Sequence, residues 1–144
     1  MIIDGTNLIV GRTATYAAKA ALEGQTVAII NCEKMIITGR KKQILEGYNE
    51  KQNIGDAFKG PFYPKMPDRY VKRVIRGMLP YKQERGMKAL KRVKCYIGLP
   101  AEFKTQKIET VPQADAKKLK TLKFITVNDL SKYFNKGVQW PNQH

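Results

Sequence analysis

The sequence is poor in the residues that most often perform catalysis or hold metals. Its one histidine is His144, the last of 144 residues, and its two cysteines are Cys32 and Cys95. A lone histidine at that position argues against a Ser-His-Asp or Cys-His arrangement, and these three residues do not make an ordinary structural zinc site. The acids are scattered singly, with no pair at metal-binding or acid–base spacing. The sequence therefore offers no catalytic, cofactor-binding or metal-ligating candidate, and no small-molecule substrate is expected.

Long apolar runs and disulfide-forming cysteines are equally scarce. No apolar run approaches the roughly 18 residues that a membrane span needs, so no membrane partner is expected. Met1–Asp4 lacks the cationic start of a signal peptide, and two cysteines are too few for a disulfide scaffold. These features predict a chain of the reducing cytosol. With 42% apolar residues, we expect one folded domain over residues 1–144.

Acidic residues are also few, and this imbalance is the strongest signal in the composition. Twelve Asp and Glu accompany 27 Lys and Arg, which leaves a formal net charge of +15 at pH 7. More than half of the excess lies in residues 69–94, where Glu84 is the single acid. A basic cluster of this kind predicts a polyanionic partner, and it favours nucleic acid over a merely basic enzyme.

The order of the apolar segments predicts an α/β fold with a mostly parallel central sheet flanked by helices. Residues 1–3 and 26–30 suit buried strands, and apolar residues at helical spacing predict a helix over 10–22 between them. This succession favours a βαβ unit. The other predicted elements are strands at 35–37, 93–97 and 123–126, helices at 40–51 and 128–135, two basic helical segments within 69–92, and an irregular loop at 55–67.

Within the single domain, the α/β core is expected to span residues 1–100. Residues 101–122 are polar and lysine-rich, and they are predicted to form an extended basic excursion. Residues 123–144 are predicted to add a strand and a short helix. The sequence contains no internal repeat or low-complexity tract that would call for a second domain.

Two basic helical segments, separated by Gly77–Pro80, form the predicted interface. In the first segment, four cations share a sector of roughly 100° at helical spacing, opposite Tyr70, Val71, Val74, Ile75 and Met78. In the second, Arg85, Lys88 and Arg92 form a stripe across from Met87, Leu90 and Val93. A solvated face normally mixes signs to gain ion pairs one turn apart. The scarcity of acids here favours a face that contacts phosphates.

Cations also stand where helices are predicted to begin. Arg12, Arg40–Lys42 and Arg69 occupy first turns, although a helix N-terminus already carries roughly half a positive charge. An anion shared between these side chains and the free N–H groups would explain the arrangement. Tyr63, Tyr81 and Tyr96 are able to stack on a base, but core packing is expected for most of the aromatic residues.

The turn after the first predicted strand suggests a phosphate loop without matching one. Gly5 and Gly11 are six residues apart where a P-loop has five, and Arg12 stands in place of its lysine. These glycines are expected to serve a tight turn and close helix packing. The alternatives that remain open are a Rossmann-like nucleotide-binding enzyme and a free RNA-binding translational regulator.

Several stretches together resemble the universal large-subunit ribosomal protein L-thirteen family. They cover about residues 1–100 and are Gly11–Ala17, Ile30–Lys34 with Thr38–Lys41, Arg73–Pro80 and Val93–Gly98. Gly60–Phe62, the Lys82–Leu90 segment with Arg85–Gly86, and Val111–Pro112 resemble the archaeal and eukaryotic branch. Thr13 departs from the bacterial pattern, which usually has leucine there.

The resemblance implies a cytoplasmic, ribosome-associated structural protein without a cofactor. It implies that the chain binds large-subunit ribosomal RNA early in assembly and lies beside other large-subunit proteins. By position, it places Arg12, Arg40, Lys41, Arg73, Arg76 and Gly77–Pro80 on the RNA-facing surface. Together with the charge pattern, the predicted RNA-binding residues are Arg12, Arg40, Lys41, Lys42, Arg69, Lys72, Arg73, Arg76, Gly77, Lys82, Arg85, Lys88 and Arg92.

Overall fold

The chain begins with a strand, a helix and a second strand, within the residues 1–135 that the computed structural model describes. The helices and strands in chain order are β1 (Ile2–Asp4), α1 (Val10–Leu22), β2 (Val27–Ile30), β3 (Ile36–Thr38), α2 (Lys41–Asn53), α3 (Pro67–Met78), α4 (Glu84–Arg92), β4 (Val93–Cys95), β5 (Phe124–Thr126) and α5 (Val127–Phe134). The predicted C-terminal part, 123–144, is described up to residue 135, and residues 136–144 lie outside the described part.

The central sheet has three parallel strands in the order β1–β2–β4. Ile29 of β2 lies opposite Ile3 on one side and Cys95 on the other. All four residues of β2 are buried, because both faces of a parallel sheet are covered by other parts of the chain. Strands of such sheets are therefore continuous apolar runs in the sequence. The prediction of an α/β fold with a mostly parallel central sheet is confirmed.

Strand β3 lies outside that sheet. It pairs antiparallel with β5, with Ile37 opposite Ile125. The backbone N–H of Ile36 donates to the carbonyl of Leu8 at 2.9 Å, just before α1 begins. This small second sheet thereby holds α5 and the start of α1 together.

Helix α1 supplies much of the core through small side chains. Ala14, Ala17 and Ala21 are completely buried, and they let α1 lie close to α3 and α4, the helices that it mainly contacts. Thr13, the residue that departs from the bacterial pattern, is also fully buried. Its hydroxyl donates to the carbonyl of Ile9 at 3.0 Å, so this polar group is satisfied within the helix.

The lysine-rich segment 101–122 runs along the outer edge of β1. The backbone N–H of Asp4 donates to the carbonyl of Glu109 at 3.0 Å, and the N–H of Glu109 donates to Ile2 at 2.8 Å. Val111 and Ala114 are buried, and three short 3-10 turns interrupt the extended backbone. The excursion is therefore anchored to the sheet by backbone hydrogen bonds and by apolar contact.

Candidate nucleic-acid interface

Helix α3 presents its cations on one side and its apolar residues on the other. Pro67 stands in the first turn, where its missing N–H costs nothing. Val71 and Ile75 are completely buried, and Tyr70 is nearly so. These positions confirm the predicted inward face, but Met78 is 41% exposed. It lies at the rim of the contact with α1, with its sulfur 3.5 Å from the hydroxyl of Thr15.

The four cations of α3 meet in one open groove beside α4. Its volume is about 310 Å³, and it is lined by Arg69, Lys72, Arg73 and Arg76 together with Phe62, Pro64 and Leu90. The ion pairs of the described residues are Lys42–Glu46 at 3.8 Å and Lys88–Glu84 at 2.7 Å. Within residues 1–135, then, no carboxylate forms an ion pair with the cations of α3.

A second groove lies across the first turn of α3. Arg69 and Lys72 line it together with Lys94 and Tyr96, and its volume is about 510 Å³. Asp68 also lines it, and one oxygen of this carboxylate is buried without a hydrogen-bond partner. Lys94 is not among the RNA-binding residues predicted from the sequence; it belongs to β4, and the fold places it beside Arg69 and Lys72.

Two of the α3 arginines stack on tyrosines. The guanidinium of Arg73 lies 3.9 Å from the ring centre of Tyr63, and that of Arg76 lies 4.9 Å from the ring centre of Tyr81. Arg73 also donates a hydrogen bond to the carbonyl of Phe62 at 3.5 Å. Cation–π contacts of this kind hold a guanidinium in place while leaving most of its N–H donors available.

Behind these pairs lies a cluster of tyrosines that forms the floor of a third groove. The ring of Tyr48 packs edge-on against Tyr63 and Tyr70, at 6.3 and 5.3 Å between ring centres, and the hydroxyls of Tyr48 and Tyr70 hydrogen-bond to each other. Burial raises the pKa of both phenols above the usual value. The Lys51 ammonium lies 5.0 Å from the Tyr48 ring. Neither Tyr48 nor Lys51 was selected from the sequence, because their proximity to α3 arises from the fold.

Helix α4 follows its predicted packing only in part: Val93 at its end is completely buried and Leu90 is half-buried. Its buried residues are Gly86 and Ala89, and a Cβ on Gly86 would lie 2.1 Å from the carbonyl oxygen of Pro80. Met87, grouped in the sequence pattern with Leu90 and Val93 across from the cationic stripe, is instead 49% exposed. Two small residues allow a close approach of the helix, and this approach turns Met87 outward.

Two predicted binding residues are tied to the protein's own carbonyls. Arg92 donates to Ala21 at the end of α1, and Arg12 donates to Gln113, each at 3.2 Å. The remaining predicted cations are exposed and lie outside the three grooves described; they are Arg40, Lys41, Lys42, Lys82, Arg85 and Lys88. Gly77 lines the groove over the tyrosine cluster.

The turn between β1 and α1 is packed against other parts of the chain. A Cβ on Gly5 would lie 2.8 Å from Met35 Cγ, so close approach requires this glycine. Gly11 faces open space, and its predicted role in close helix packing is wrong. The backbone N–H of Ile9 donates to Ala114 at 2.8 Å, and that of Ala116 donates to Asn7 at 3.0 Å. Segment 114–116 therefore covers the turn that suggested a phosphate loop.

The carboxylate of Asp4 adds a negative charge to this turn. It accepts hydrogen bonds from the Thr6 backbone N–H at 3.0 Å and from Asn31 at 2.9 Å. Burial raises the pKa of Asp4, but the hydrogen bonds from Asn31 and Thr6 outweigh that effect, and the pKa lies below its ordinary value. An ionised carboxylate here disfavours a bound phosphate.

Within 1–135, His, Cys, Asp and Glu form no group of three that could hold a metal ion. None of the helices there is long and apolar enough to cross a membrane.

Comparison with known proteins gives a consistent set of matches. The model of the ribosomal protein L13 family matches residues 1–102. The large ribosomal subunit protein uL13 of Methanopyrus kandleri is 44% identical over 142 residues, which cover 97% of this chain and 88% of that protein. The uL13 proteins of Methanococcoides burtonii and Haloarcula marismortui are 40% and 39% identical, over 91% and 97% of this chain and 94% of each relative. The similarity thus continues past residue 102.

Proposed function

Because the chain belongs to the ribosomal protein L13 family, in its archaeal-type branch, we propose that it binds large-subunit ribosomal RNA through the cationic side of α3. Its relatives are named large ribosomal subunit proteins. The chain is accordingly a structural component of the large subunit, it is not an enzyme, and its place is the cytoplasmic ribosome. Membership of this family implies two classes of partner, ribosomal RNA and other ribosomal proteins.

The observation that carries the RNA-binding proposal is the groove lined by four cations without a carboxylate partner. Arg69 and Arg76 are seven residues apart, about 10 Å along a helix, and a nucleic-acid backbone carries several phosphates over that length. Without a phosphate partner, like charges so close together would only repel. Their position together on one side of α3 supports an anionic partner.

The exposed cations outside this groove extend the same positive field. They are Arg40, Lys41, Lys42, Lys82, Arg85 and Lys88, and we include them in the proposed surface. Arg12 and Arg92 contribute charge, while part of their hydrogen-bonding capacity is used within the protein. Since counterion release is insensitive to sequence, the fit between this surface and folded RNA supplies the selectivity.

The test is the salt dependence of binding to a protein-free large-subunit rRNA fragment. A variant with Arg69, Lys72, Arg73 and Arg76 all replaced by glutamine should lower the magnitude of the log–log salt slope by about 3. A matched control removes four exposed charges elsewhere, at Lys104, Lys107, Lys117 and Lys118, and should change the slope much less. Equal decreases of the salt slope in the two variants would show that RNA binding depends on the overall charge and not on the cationic side of α3.

We further propose that binding occurs early in assembly. In that case the chain binds the rRNA fragment before any other ribosomal protein is added, and a requirement for previously bound proteins would contradict early entry.

Sedimentation of native lysate distinguishes a ribosomal component from a free RNA-binding regulator. The chain should sediment with the large subunit stoichiometrically, whereas a large free pool bound to other RNA would favour a regulator.

A further inference from the structure

We propose that the groove over the tyrosine cluster is a binding site for one unpaired nucleotide of the RNA. This tyrosine groove is lined by Tyr48, Lys51, Tyr63, Arg73, Arg76 and Tyr81, and its volume is about 340 Å³. That volume lies in the range of small-ligand sites, roughly 300–1,000 Å³. The inference rests on the proposed function for the source of the nucleotide, and it adds a base-binding role to a surface so far described by charge.

The walls of the tyrosine groove are planar groups of the kind that stack on bases. Arg73 over Tyr63 and Arg76 over Tyr81 form two such pairs, one turn apart on α3. Unpaired bases in RNA are held by stacking on aromatic rings or guanidinium planes. Tyr81 remains 39% exposed, so this wall is accessible from solvent.

The groove also supplies partners for the other parts of a nucleotide. Lys51, Arg73 and Arg76 lack a carboxylate partner among the described residues, and they are available to a phosphate. Tyr48 and Tyr70 also line the groove, and their hydroxyls hydrogen-bond to each other, which fixes the two rings relative to one another.

Continuity with the cationic groove of α3 identifies RNA as the source of the nucleotide. Arg73 and Arg76 line both grooves, so a backbone that follows the α3 cations passes the mouth of the tyrosine groove. In a paired RNA helix, neighbouring bases cover both faces of each base, so no base face would be free to stack on the rings and guanidinium groups of the tyrosine groove. A free mononucleotide would lack the further phosphates that Arg69 and Lys72 are placed to contact.

The experiment uses the full chain and two RNA hairpins, one fully paired and one carrying a single bulged 2-aminopurine. The protein should bind the bulged hairpin roughly tenfold more tightly and quench its fluorescence, in line with the typical gain from one base stacked on an aromatic residue. Tyr81→Leu should abolish that preference and leave the salt slope unchanged. Tyr81→Phe, which keeps the ring, should retain it.

A matched control is Tyr16→Leu, because Tyr16 is 44% exposed and lies on α1 outside the groove. This variant should behave as the unmodified protein. Equal affinity for the two hairpins, with salt-dependent binding intact, would overturn the nucleotide site and leave the proposed function standing. Saturable micromolar binding of AMP alone would also overturn it, in favour of a free nucleotide. Failure to bind rRNA at all would instead refute the proposed function.

Discussion

At the scale of single residues, two helical glycines show how surroundings decide a role. A Cβ on Gly86 would lie 2.1 Å from the Pro80 carbonyl oxygen, whereas one on Gly77 would meet no atom within 4 Å. The fold needs the first glycine and not the second. Glycine inside a helix costs roughly 0.5–1 kcal/mol relative to alanine, and a partner that approaches the backbone closely at Gly77 would offset that cost.

Gly77→Ala should therefore separate stability from binding. We expect the free energy of unfolding to rise by up to about 1 kcal/mol, since alanine lowers the entropy of the unfolded chain and favours helix. Affinity for the rRNA fragment should fall, because the added methyl group would stand on the proposed RNA-binding surface. Denaturant unfolding and a binding titration measure the two effects. Unchanged affinity would remove Gly77 from the proposed surface.

At the scale of elements, periodicity predicted α3 well and α4 less well. Helix α3 has large apolar residues such as Val71 and Ile75 on its inward side, and their positions marked the buried face correctly. In α4 the buried residues are Gly86 and Ala89, which carry little hydrophobic signal, so the pattern grouped the exposed Met87 with Leu90 and Val93. Sequence patterns report the size and polarity of side chains, and close packing through small residues leaves little trace in them.

The packing of α4 can be tested with two neighbouring substitutions. Ala89→Leu should destabilise the protein by about 1–3 kcal/mol, because Ala89 is completely buried and the larger side chain overpacks the contact. Met87→Ala should change stability by less than about 0.5 kcal/mol, as expected for an exposed position. Thermal or denaturant unfolding of the two variants gives the comparison. The reverse order would show that Met87, and not Ala89, lies on the buried side of α4.

At the scale of the whole molecule, charge opposes folding and favours binding. The net charge is +15, and the two described ion pairs are exposed contacts within α2 and α4, which contribute little stability. Repulsion between cations is thus largely unrelieved in the isolated chain. Bound phosphates would relieve it, so folding stability and RNA binding should respond oppositely to salt.

Raising NaCl from about 0.01 M to about 0.1 M shortens the Debye length from about 30 Å to about 10 Å. We expect the Tm of the free protein to rise over this range, by roughly 2–4 °C for each kcal/mol of relieved repulsion, while affinity for the rRNA fragment falls. Calorimetry and binding titrations on the same preparation measure both. A Tm that falls with salt would show that attractive pairs outweigh repulsion.

The sequence by itself determined three features: the order of strands and helices, the burial of β2 and the cationic side of α3. Each of them depends on residues that are close together in the sequence. Other features depend on contacts between segments that are distant in the sequence. The backbone of Glu109 hydrogen-bonds to the edge of β1, Arg12 donates to the carbonyl of Gln113, and the ring of Tyr48 packs against Tyr70 and Tyr63. A periodic pattern shows which face of an element is buried and not which neighbour buries it. Contacts across the folded chain therefore decided that the α3 arginines rest on tyrosines and that the β1–α1 turn is covered.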